Sequence, residues 1–446
     1  MKTITIDKTE FLKGFSLSKY YPSGGFAPES LGFEVDRQIG VLRPNRVATE
    51  YSTNVTDSGV ASCYYNPLGS YFTIGNQGKI YQTDAASRVH TVKHTESNKI
   101  YDTNSSIYIF GGKLYITSTT DIYRDDLTFT VNDYRWWTNT LTKAPLTANV
   151  PHKLFEFQNK LYITDGNKIH ETDGSTGTFG KLTLPTGWVI TDAFADNDVI
   201  YITASFGGST LFYNSPSRIF VWNGISPLWT REVDPKLSSI NAITKTEKTY
   251  ILFANNDMYL FDGYNVKWRA KVNKTPNFNQ ISTNGNKIFF VGDQGVMSYN
   301  ARFDCLTQPY YDNKSINVLM NSRFDYLQMW TSSNKFYEAY SSSGVSTFYS
   351  NIYDLDNSNI RKVEILFETP LVTGNKYNFY IYNEKGDTTF TKEISYTLDK
   401  GILKKTFSVN KFVSLSQFAI AFSLTGNQSI IYIKIYYEQS ERNTSK

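Results

Sequence analysis

The chain alternates short apolar runs with polar turn residues along almost its whole length. Runs of four to seven residues rich in Tyr, Phe, Ile, Val and Thr are separated by Gly, Asn, Asp and Ser. Branched and aromatic side chains suit a pleated, half-buried surface, and the separating residues suit tight turns. No long stretch shows the 3.6-residue period of an amphipathic helix. The pattern predicts an all-β protein built from many short antiparallel strands.

One unit of this pattern recurs along residues 61–345. Each copy has an apolar strand, a turn and a second apolar strand, and the second position of the first strand serves as a marker. The marker recurs every 38–49 residues and is aromatic in six of the seven copies. The markers are Phe72, Tyr115, Tyr162, Tyr201, Tyr250, Phe289 and Leu327, and the matching positions on the second strand are Ile80, Ile122, Ile169, Ile219, Met258, Val296 and Phe336.

A period of about 40 to 50 residues with four short strands per unit is typical of a β-propeller blade. A single four-stranded sheet cannot cover both of its faces, whereas a closed ring of sheets covers them and protects the edges. We therefore predict a β-propeller over 61–345, with the markers filling the wedges between blades. Seven blades are favoured, and six are possible because the seventh copy is degenerate. The irregular lead 1–60 is expected to supply the outer or inner strand that closes the ring.

The spacing of the strands changes after the repeats. Residues 346–438 contain closely spaced alternating strands such as RKVEILFE and IIYIKIYYEQ, separated by turns containing glycine. About seven strands in this length predict a C-terminal antiparallel β-sandwich. Residues 439–446 are predicted to be a frayed tail.

Composition and charge exclude several classes of protein. Aromatic residues make up 16% of the chain, which excludes an intrinsically disordered protein. The absence of an apolar run of about 18 residues predicts no membrane insertion. The 45 basic and 41 acidic residues form no block of like charge, so sequence-specific nucleic acid is not an expected partner. The N-terminus lacks the apolar region of a signal peptide, and Cys63 and Cys305 are expected to be free, buried thiols.

The sequence offers no catalytic, metal or cofactor motif, so we expect a protein that is not an enzyme and that needs no cofactor. The four histidines lack the spacing of a zinc motif, and the nucleophile-elbow and phosphate-loop motifs are missing. Most of the acidic residues that might form a catalytic pair recur in the same turn of successive repeats, where Asp is a turn residue. The histidines are His90, His94, His152 and His170, and the acidic residues are Asp125, Asp126, Asp165, Asp173, Asp262 and Asp293.

Two groups of aromatic residues are candidate sites for a protein interface or a sugar. Trp, Tyr and Arg dominate interface hot spots, and loops on rigid scaffolds often carry function. Ordinary packing at the blade edges is the alternative explanation. The first group is Tyr134, Arg135, Trp136 and Trp137; the second is Phe206, Trp222 and Trp229, around an insertion at Ser205–Ser217 in the fourth copy.

The two ends of the chain resemble parts of the β-propeller proteins found in virions of tailed bacteriophages. Phe11–Pro44, which contains FEVDRQIGVLRP, is similar to the Gly/Ser/Tyr-rich lead that precedes the first blade in those proteins. The segments Arg361–Glu368 and Ile430–Gln439 resemble the sandwich domain that commonly follows their propeller. No catalytic residue is carried over by the resemblance.

The resemblance implies a structural virion protein, an oligomeric tail or nozzle/ring component around the DNA exit path. It implies copies of the chain itself and other tail or head-to-tail proteins as partners, with assembly into the virion in the host cytoplasm. The alternative is a carbohydrate-binding or glycan-cleaving propeller that acts on a host-surface glycan.

Overall fold

The computed structural model describes the chain except residues 12–31, 35–40, 97–100, 131, 208–214, 322–325, 343–344, 351, 384–387, 410–413 and 440–446. The chain divides into two compact units. The ring unit comprises Thr49–Gln294 and Asn313–Glu338, and the terminal unit comprises Met1–Ala48, Gly295–Asp312 and Ala339–Lys446. These units differ from the predicted boundaries, because both ends of the chain belong to one unit.

Seven four-stranded sheets are found in the part of the chain that the structure describes, each with its strands side by side in the order given below. We number them as blades 1 to 7 along the chain. Blade 1 is Gly59–Tyr65, Ser70–Gly75, Lys79–Asp84 and His90–Thr95; blade 2 is Ile107–Phe110, Lys113–Thr117, Ile122–Asp125 and Asn132–Asp133; blade 3 is Leu154–Phe157, Lys160–Asp165, Lys168–Thr172 and Gly177–Thr183; blade 4 is Trp188–Asp196, Val199–Phe206, Ser217–Trp222 and Arg231–Val233; blade 5 is Ile240–Lys245, Tyr250–Ala254, Asp257–Phe261 and Val266–Lys271; blade 6 is Ile281–Asn284, Lys287–Gly292, Gly295–Asn300 and Cys305–Tyr311; blade 7 is Ile316–Asn321, Leu327–Thr331, Phe336–Ser342 and Arg46–Glu50.

The repeat predicted from the sequence coincides with these blades. All seven markers lie on the second strand of a blade, and all seven matching positions lie on the third strand. Every one of these residues is buried except Tyr250, which is half-buried. The cores are shared between neighbours: Phe72 and Ile80 of blade 1 pack in one cluster with Leu114 of blade 2. The markers therefore fill the spaces between blades.

The first strands of the blades form a closed cycle within the ring unit. Each first strand contacts the first strand of the next blade, and the first strand of blade 7 contacts that of blade 1. A closed cycle of four-stranded sheets is a β-propeller. The described ring therefore has seven blades, and the six-blade alternative is wrong.

The cycle closes on residues that precede blade 1. Arg46–Glu50 is the fourth strand of blade 7 and pairs next to its third strand. Just beyond it, the Tyr51 N–H donates to the Phe336 carbonyl over 2.9 Å, and the Tyr337 hydroxyl donates to the Glu50 carboxylate over 3.1 Å. Of the two predicted possibilities, an outer or an inner strand, the strand that closes the ring is therefore the outer one.

The terminal unit is built on an eight-stranded sheet that joins the two ends of the chain. Lys2–Ile6 pairs antiparallel with Ile430–Gln439 along its whole length. The long strand Tyr353–Phe367 pairs with Ser414–Thr425 near its start, and with Ile430–Gln439 and Lys404–Ser408 further along. The remaining strands of the sheet are Val345–Tyr349, Lys376–Asn383 and Thr388–Ser395, and a separate pair is Phe33–Glu34 with Arg43–Pro44.

Strands that are not hydrogen-bonded neighbours face each other across the core of this unit. Phe390 and Phe407 stack with ring centroids 5.9 Å apart and an angle of 7° between their planes. Phe407 also meets the edge of Phe379 at 5.5 Å. All the strands are nevertheless linked into one hydrogen-bonded sheet, and the β-sandwich stays a prediction.

The remaining elements are short. They are the α-helix Lys8–Phe11, the 3-10 turns Asn66–Leu68 and Phe278–Gln280, and the π-helical turn Trp136–Thr140. Of the helices in the described ranges, none is long and apolar enough to cross a membrane. Cys305 is buried and Cys63 is partly exposed, and both are free thiols.

Candidate functional site

The candidate sites lie mainly at one end of the ring unit. Strands in a blade alternate in direction, so the second-to-third turns and the fourth-to-first connections lie at the same end of the ring. The two kinds of loop are bonded to each other: Asn255 Nδ2 donates to Ser238 Oγ over 2.5 Å, and the Asn256 N–H donates to Thr275 Oγ1 over 2.7 Å. We call this end the loop face. Its longest fully described connections are residues 134–153, 272–280 and 51–58.

A 3-10 turn covers the axis of the ring at the loop face. Phe278–Gln280 contacts the first strands of blades 1, 5 and 7. Asn279 Nδ2 donates to the Ser105 carbonyl of the loop before blade 2, and Gln280 Nε2 donates to the Ile316 carbonyl of blade 7, each over 2.8 Å. The Asn277 side chain caps the turn by accepting from the Asn279 N–H. Because this turn contacts the first strands of blades 1, 5 and 7, its residues close the axis of the ring at the loop face.

A polar cavity lies beside this cap, where blade 5 adjoins blade 6. Its volume is about 480 Å³, within the range of small-molecule sites. All eight lining residues are polar, and all belong to the ring unit. They come from the start of blade 5, from two second-to-third turns and from the connection 272–280; the five used below are Asn241, Asn255, Asn273, Lys274 and Asp293.

Several of these polar groups have no partner. Asn241, Asn273, Lys274 and Asp293 make no side-chain hydrogen bond or ion pair with another described residue. Asn255 Oδ1 is buried and accepts no hydrogen bond among the described residues. Burial lowers the pKa of Lys274 below its ordinary value, although the negative charge of Asp293 opposes that change. Asn273 and Asp293 are exposed, and Asn241 and Lys274 are partly buried. Among these groups only Asn255 Oδ1 is both buried and unsatisfied, and its place in a concave polar cavity makes the cavity a candidate binding site.

Asparagines give the wall of the cavity its shape. Asn255, Asn256 and Asn273 have φ values of 50°, 64° and 58°, in the left-handed region. Asn adopts this region more readily than most residues because its short side chain can bond locally. The Asn273 N–H donates to the Asn256 carbonyl over 3.1 Å, which joins the turn of blade 5 to the connection 272–280.

A second cluster on the loop face, His152, Asp165 and His170, resembles a catalytic group in composition but is closed to substrate. His170 Nε2 donates to Asp165 Oδ2 over 2.9 Å, and His170 Nδ1 accepts from the Gly180 N–H over 2.9 Å, so both ring nitrogens are hydrogen-bonded. Burial alone would raise the pKa of Asp165, but the close His152 Nε2, 3.5 Å from Oδ1, and the hydrogen bonds from His170 and the Thr147 N–H outweigh it and hold that pKa below its ordinary range.

Its three side chains are at most 2% exposed. The His170 ring lies between Trp137 and Phe179, with centroids 5.4 Å and 4.3 Å away. A general acid or base must reach its substrate, so this cluster holds the loops of blade 3 in place.

Three of the predicted site residues are buried, and their predicted exposure is wrong. Trp136, Trp137 and Trp222 are each 0% exposed. The π-helical turn directs both neighbouring rings inwards: Trp136 meets Tyr115 edge-on at 5.1 Å, and Trp137 Nε1 donates to the Ala144 carbonyl over 3.1 Å. Trp222 Nε1 likewise donates within its own turn, to the Ser226 carbonyl. Buried rings cannot stack on a sugar or anchor an interface without a rearrangement.

The other predicted residues remain accessible to different degrees. Tyr134 is 46% exposed and Phe206 is 48% exposed. The Arg135 side chain is half-exposed, with Nε 3.6 Å from Asp121 Oδ2. Trp229 is partly buried against Phe220, at 5.2 Å between centroids. These residues lie on different blades, and residues 208–214 of the insertion lie outside the described residues, so no single predicted site emerges.

The cavity was missed in the sequence because its residues are those of ordinary turns. Asp293 was assigned to a turn, and the Asn-Asn pair at 255–256 has the same composition as the turns of the other blades. A signal was present only in the connection 272–280, where Asn273 and Lys274 interrupt the repeat. Within the described part of the chain, no three His, Cys, Asp or Glu side chains are arranged to hold a metal ion.

The fold defines the class of protein as a seven-bladed β-propeller joined to a second β unit. No protein-family model and no curated protein matches the chain. Similar solved structures include the computationally designed Ika8 protein, YCF48 bound to a D1 peptide, and the WD40 β-propeller domain of Doa1.

Their sequence identities to this chain are 9%, 10% and 10%, and their TM-scores are 0.42, 0.49 and 0.47. The matches cover 70%, 66% and 67% of this chain and 96%, 96% and 97% of theirs. Likenesses this distant carry no argument about function, and the assignment of the propeller rests on the closed cycle of blades.

Proposed function

We propose that the chain is a structural component of a tailed-bacteriophage virion, an oligomeric tail or nozzle/ring protein around the DNA exit path. The observation that carries this proposal is the packing of the two end segments that resemble such proteins. Phe33 and Leu42 of the first segment lie in one hydrophobic cluster with Val363 and Ile433 of the last two. The resemblance therefore falls on one folded unit.

A buried ion pair anchors the first of these segments. Arg46 donates to both carboxylate oxygens of Glu34, over 2.6 Å and 3.1 Å, and both side chains are 0% exposed. Buried charges are costly unless they are paired with good geometry, and a bidentate Arg–carboxylate pair supplies it. Phe33, next to Glu34, meets Phe422 at 5.8 Å. Residues 12–31 and 35–40 of the segment lie outside the described residues.

For the terminal unit we propose the two-layer sandwich that the resemblance implies. Its support is the contact of Phe390 with Phe407, which brings together two strands that are not paired in the sheet. In a sandwich the long strand Tyr353–Phe367 would pass from one layer to the other, because it pairs with different partners along its length.

The surface proposed for assembly is an apolar patch on blades 4 and 5, away from the loop face. Ile225, Leu228 and Tyr264 are 69%, 61% and 69% exposed, and they lie on third-to-fourth turns. The Arg231 guanidinium lies 4.0 Å from the centroid of the Tyr264 ring and links the two blades. Trp268, on the outer strand of blade 5, extends the patch. We name these five residues the apolar rim.

Exposed apolar patches mark interaction sites, and a ring of copies needs two complementary surfaces on every subunit, of which we propose the apolar rim as one. The proposed occupant of the apolar rim is therefore a second copy of this chain. Light scattering after size exclusion is expected to show closed oligomers for the natural protein. Leu228→Ser with Trp268→Ser is expected to shift them to monomers at an unchanged melting temperature, whereas Leu68→Ser, an exposed leucine on blade 1, leaves them intact.

Antibodies against the purified chain are expected to label phage particles at one defined position in electron micrographs. A chain that stays monomeric at every concentration and an antibody that fails to label virions would contradict the proposal.

A further inference from the structure

We propose that the polar cavity between blades 5 and 6 binds a neutral saccharide. This goes beyond a role in virion assembly and does not depend on it. The site also differs from the aromatic loops, where Trp136 and Trp137 are buried. It rests on the volume of the cavity, on its wholly polar lining and on the buried Asn255 Oδ1, which accepts no hydrogen bond among the described residues.

The charge of the lining argues against ionic ligands. Lys274 is the single basic and Asp293 the single acidic residue among the eight that line the cavity, so the site carries no net charge. A phosphate or a carboxylate would face the Asp293 carboxylate, and a metal ion would face the Lys274 ammonium with only one anionic ligand available. An apolar ligand would find no apolar side chain to bury against.

Hydroxyl groups suit every open group in the cavity. A sugar hydroxyl both donates and accepts, so adjacent hydroxyls can pair with the Asp293 carboxylate, the Lys274 ammonium and the amides of Asn241 and Asn273. Asn255 Oδ1, buried without a partner, is an acceptor that a hydroxyl donor would satisfy. Leaving such a group unsatisfied costs free energy, which a hydroxylated ligand would recover.

The wall of the cavity is held in place by its own hydrogen bonds. Thr275 Oγ1 accepts from the Asn256 N–H over 2.7 Å, and the Val272 N–H donates to the Asn256 carbonyl over 2.8 Å. The same connection continues into the turn Phe278–Gln280 that covers the axis. A preformed wall reduces the entropy cost of binding, so the site is ready for a ligand before one arrives.

Saturation-transfer NMR on the full chain tests the proposal, after a printed array of neutral and acidic glycans has identified the probe. The neutral sugars D-glucose, D-galactose and N-acetyl-D-glucosamine are included at millimolar concentration whatever the array shows, and inorganic phosphate is titrated alongside. At least one neutral saccharide is expected to bind, and phosphate is not. Asp293→Asn and Lys274→Met are each expected to lower the affinity for that saccharide at least about tenfold, since each removes a charge-assisted hydrogen bond.

Matched variants separate this effect from loss of folding. Lys267→Met and Asp198→Asn change exposed residues of blades 5 and 4 and are expected to leave the affinity unchanged. Melting temperatures of all four variants are expected to equal that of the natural protein. Absence of binding by any neutral saccharide, binding that Asp293→Asn and Lys274→Met do not weaken, or binding of phosphate in its place would each overturn the proposal. None of these results bears on virion labelling or on oligomerisation.

Discussion

Two junctions between neighbouring blades of the same ring have opposite chemistry. Between blades 7 and 1, Trp330 packs against Tyr81 at 5.5 Å and His90 at 5.3 Å. The charged groups there are also paired: Arg88 donates to the Glu338 carboxylate over 2.8 Å and 3.0 Å. Between blades 5 and 6, Phe253 and Phe290 also pack, at 4.8 Å between centroids, but at the loop face this junction holds a cavity lined by polar side chains. The first junction has its charged groups paired, and the second is open at the loop face.

The comparison shows which junction has side chains that stabilise the ring and which has side chains without such a role. A closed ring needs each junction to resist separation, and aromatic packing supplies that between blades 7 and 1, where the ring closes. The Gln328 amide completes the junction of blades 7 and 1 by donating to the second Glu338 oxygen over 3.0 Å. Lys274 and Asp293 make no such hydrogen bonds or ion pairs with other described residues, so we do not expect them to contribute to closure of the ring.

The largest loss of stability is expected when the Trp330 side chain is removed from the junction of blades 7 and 1. Trp330→Ala removes a side chain that is 2% exposed and leaves a cavity between Tyr81, His90 and Phe336. We expect it to lower the free energy of unfolding by about 3–5 kcal/mol. Urea denaturation followed by far-UV circular dichroism measures it. Trp268→Ala, at a tryptophan that is 42% exposed, is the control and should lower the free energy of unfolding by less than about 1 kcal/mol. Equal losses in the two variants would show that packing at the junction adds no stability beyond that of an exposed tryptophan.

Acid is expected to weaken the same junction. Burial against Trp330 and Phe336 lowers the pKa of His90 to about 4, although the hydrogen bond between His90 Nε2 and the Tyr51 carbonyl opposes that change. A depressed pKa stabilises the fold above the ordinary value of about 6.5, and that stability is lost as the pH falls towards 4. The loss should approach roughly 3 kcal/mol.

The measurement is the free energy of unfolding as a function of pH for the natural chain and for His90→Gln, which cannot titrate. The variant is expected to show a flatter profile between about pH 6.5 and 4. If both chains lose the same stability over this range, the acid sensitivity lies elsewhere.

Adding a methyl group to the junction of blades 7 and 1 is expected to cause an intermediate loss of stability. A Cβ added at Gly59 would lie 2.6 Å from the Trp330 Cβ, which is too close for any real contact. Gly59→Ala should therefore cost about 1–3 kcal/mol of stability. A Trp330→Ala background removes Trp330 Cγ and Cδ2, which would lie 2.7 Å and 2.8 Å from the added Cβ, so the cost should shrink there. A double-mutant cycle measures the coupling. Additive losses would contradict the contact.

The smallest effect on stability is expected at the open junction. Asp293→Asn and Lys274→Met remove groups that make no hydrogen bond or ion pair with other described residues. Each should change the free energy of unfolding by no more than about 0.5 kcal/mol. Differential scanning calorimetry measures it. A loss comparable with that of Gly59→Ala would mean that these residues hold the blades together, and the contrast between the junctions would disappear.

The blades were predictable because the wedge between sheets requires a large apolar residue at the same place in every copy. Phe72 meets that requirement eight residues before Ile80, and Tyr162 meets it seven residues before Ile169, so the period can be recognised in the sequence. The ring-closing strand was harder to define, since Arg46–Glu50 is mostly polar and has no counterpart in the repeat. Whether it lay inside or outside blade 7 depended on pairing, which local sequence does not contain.

The candidate site was not predictable for a different reason. Asn255 and Asn273 are the residues that any left-handed turn prefers, so nothing in the chain distinguishes a turn from the wall of a cavity. Only the three-dimensional structure shows which polar atoms lack a partner. Trp136 and Trp137 illustrate the opposite error, since polar neighbours suggested an exposed loop while a π-helical turn buries both rings.

The outer strand of blade 7 also sets the order of events on the ribosome. Glu50 is made 285 residues before Lys335, with which it pairs across the closure. At about 5–20 residues per second, roughly 15–60 s pass before that partner emerges. During this time the first six blades are synthesised and can pack against each other. The third strand of blade 7, with which Arg46–Glu50 pairs, has not yet been made. The nascent ring is thus an open arc whose early segment must stay unpaired until the last blade is translated.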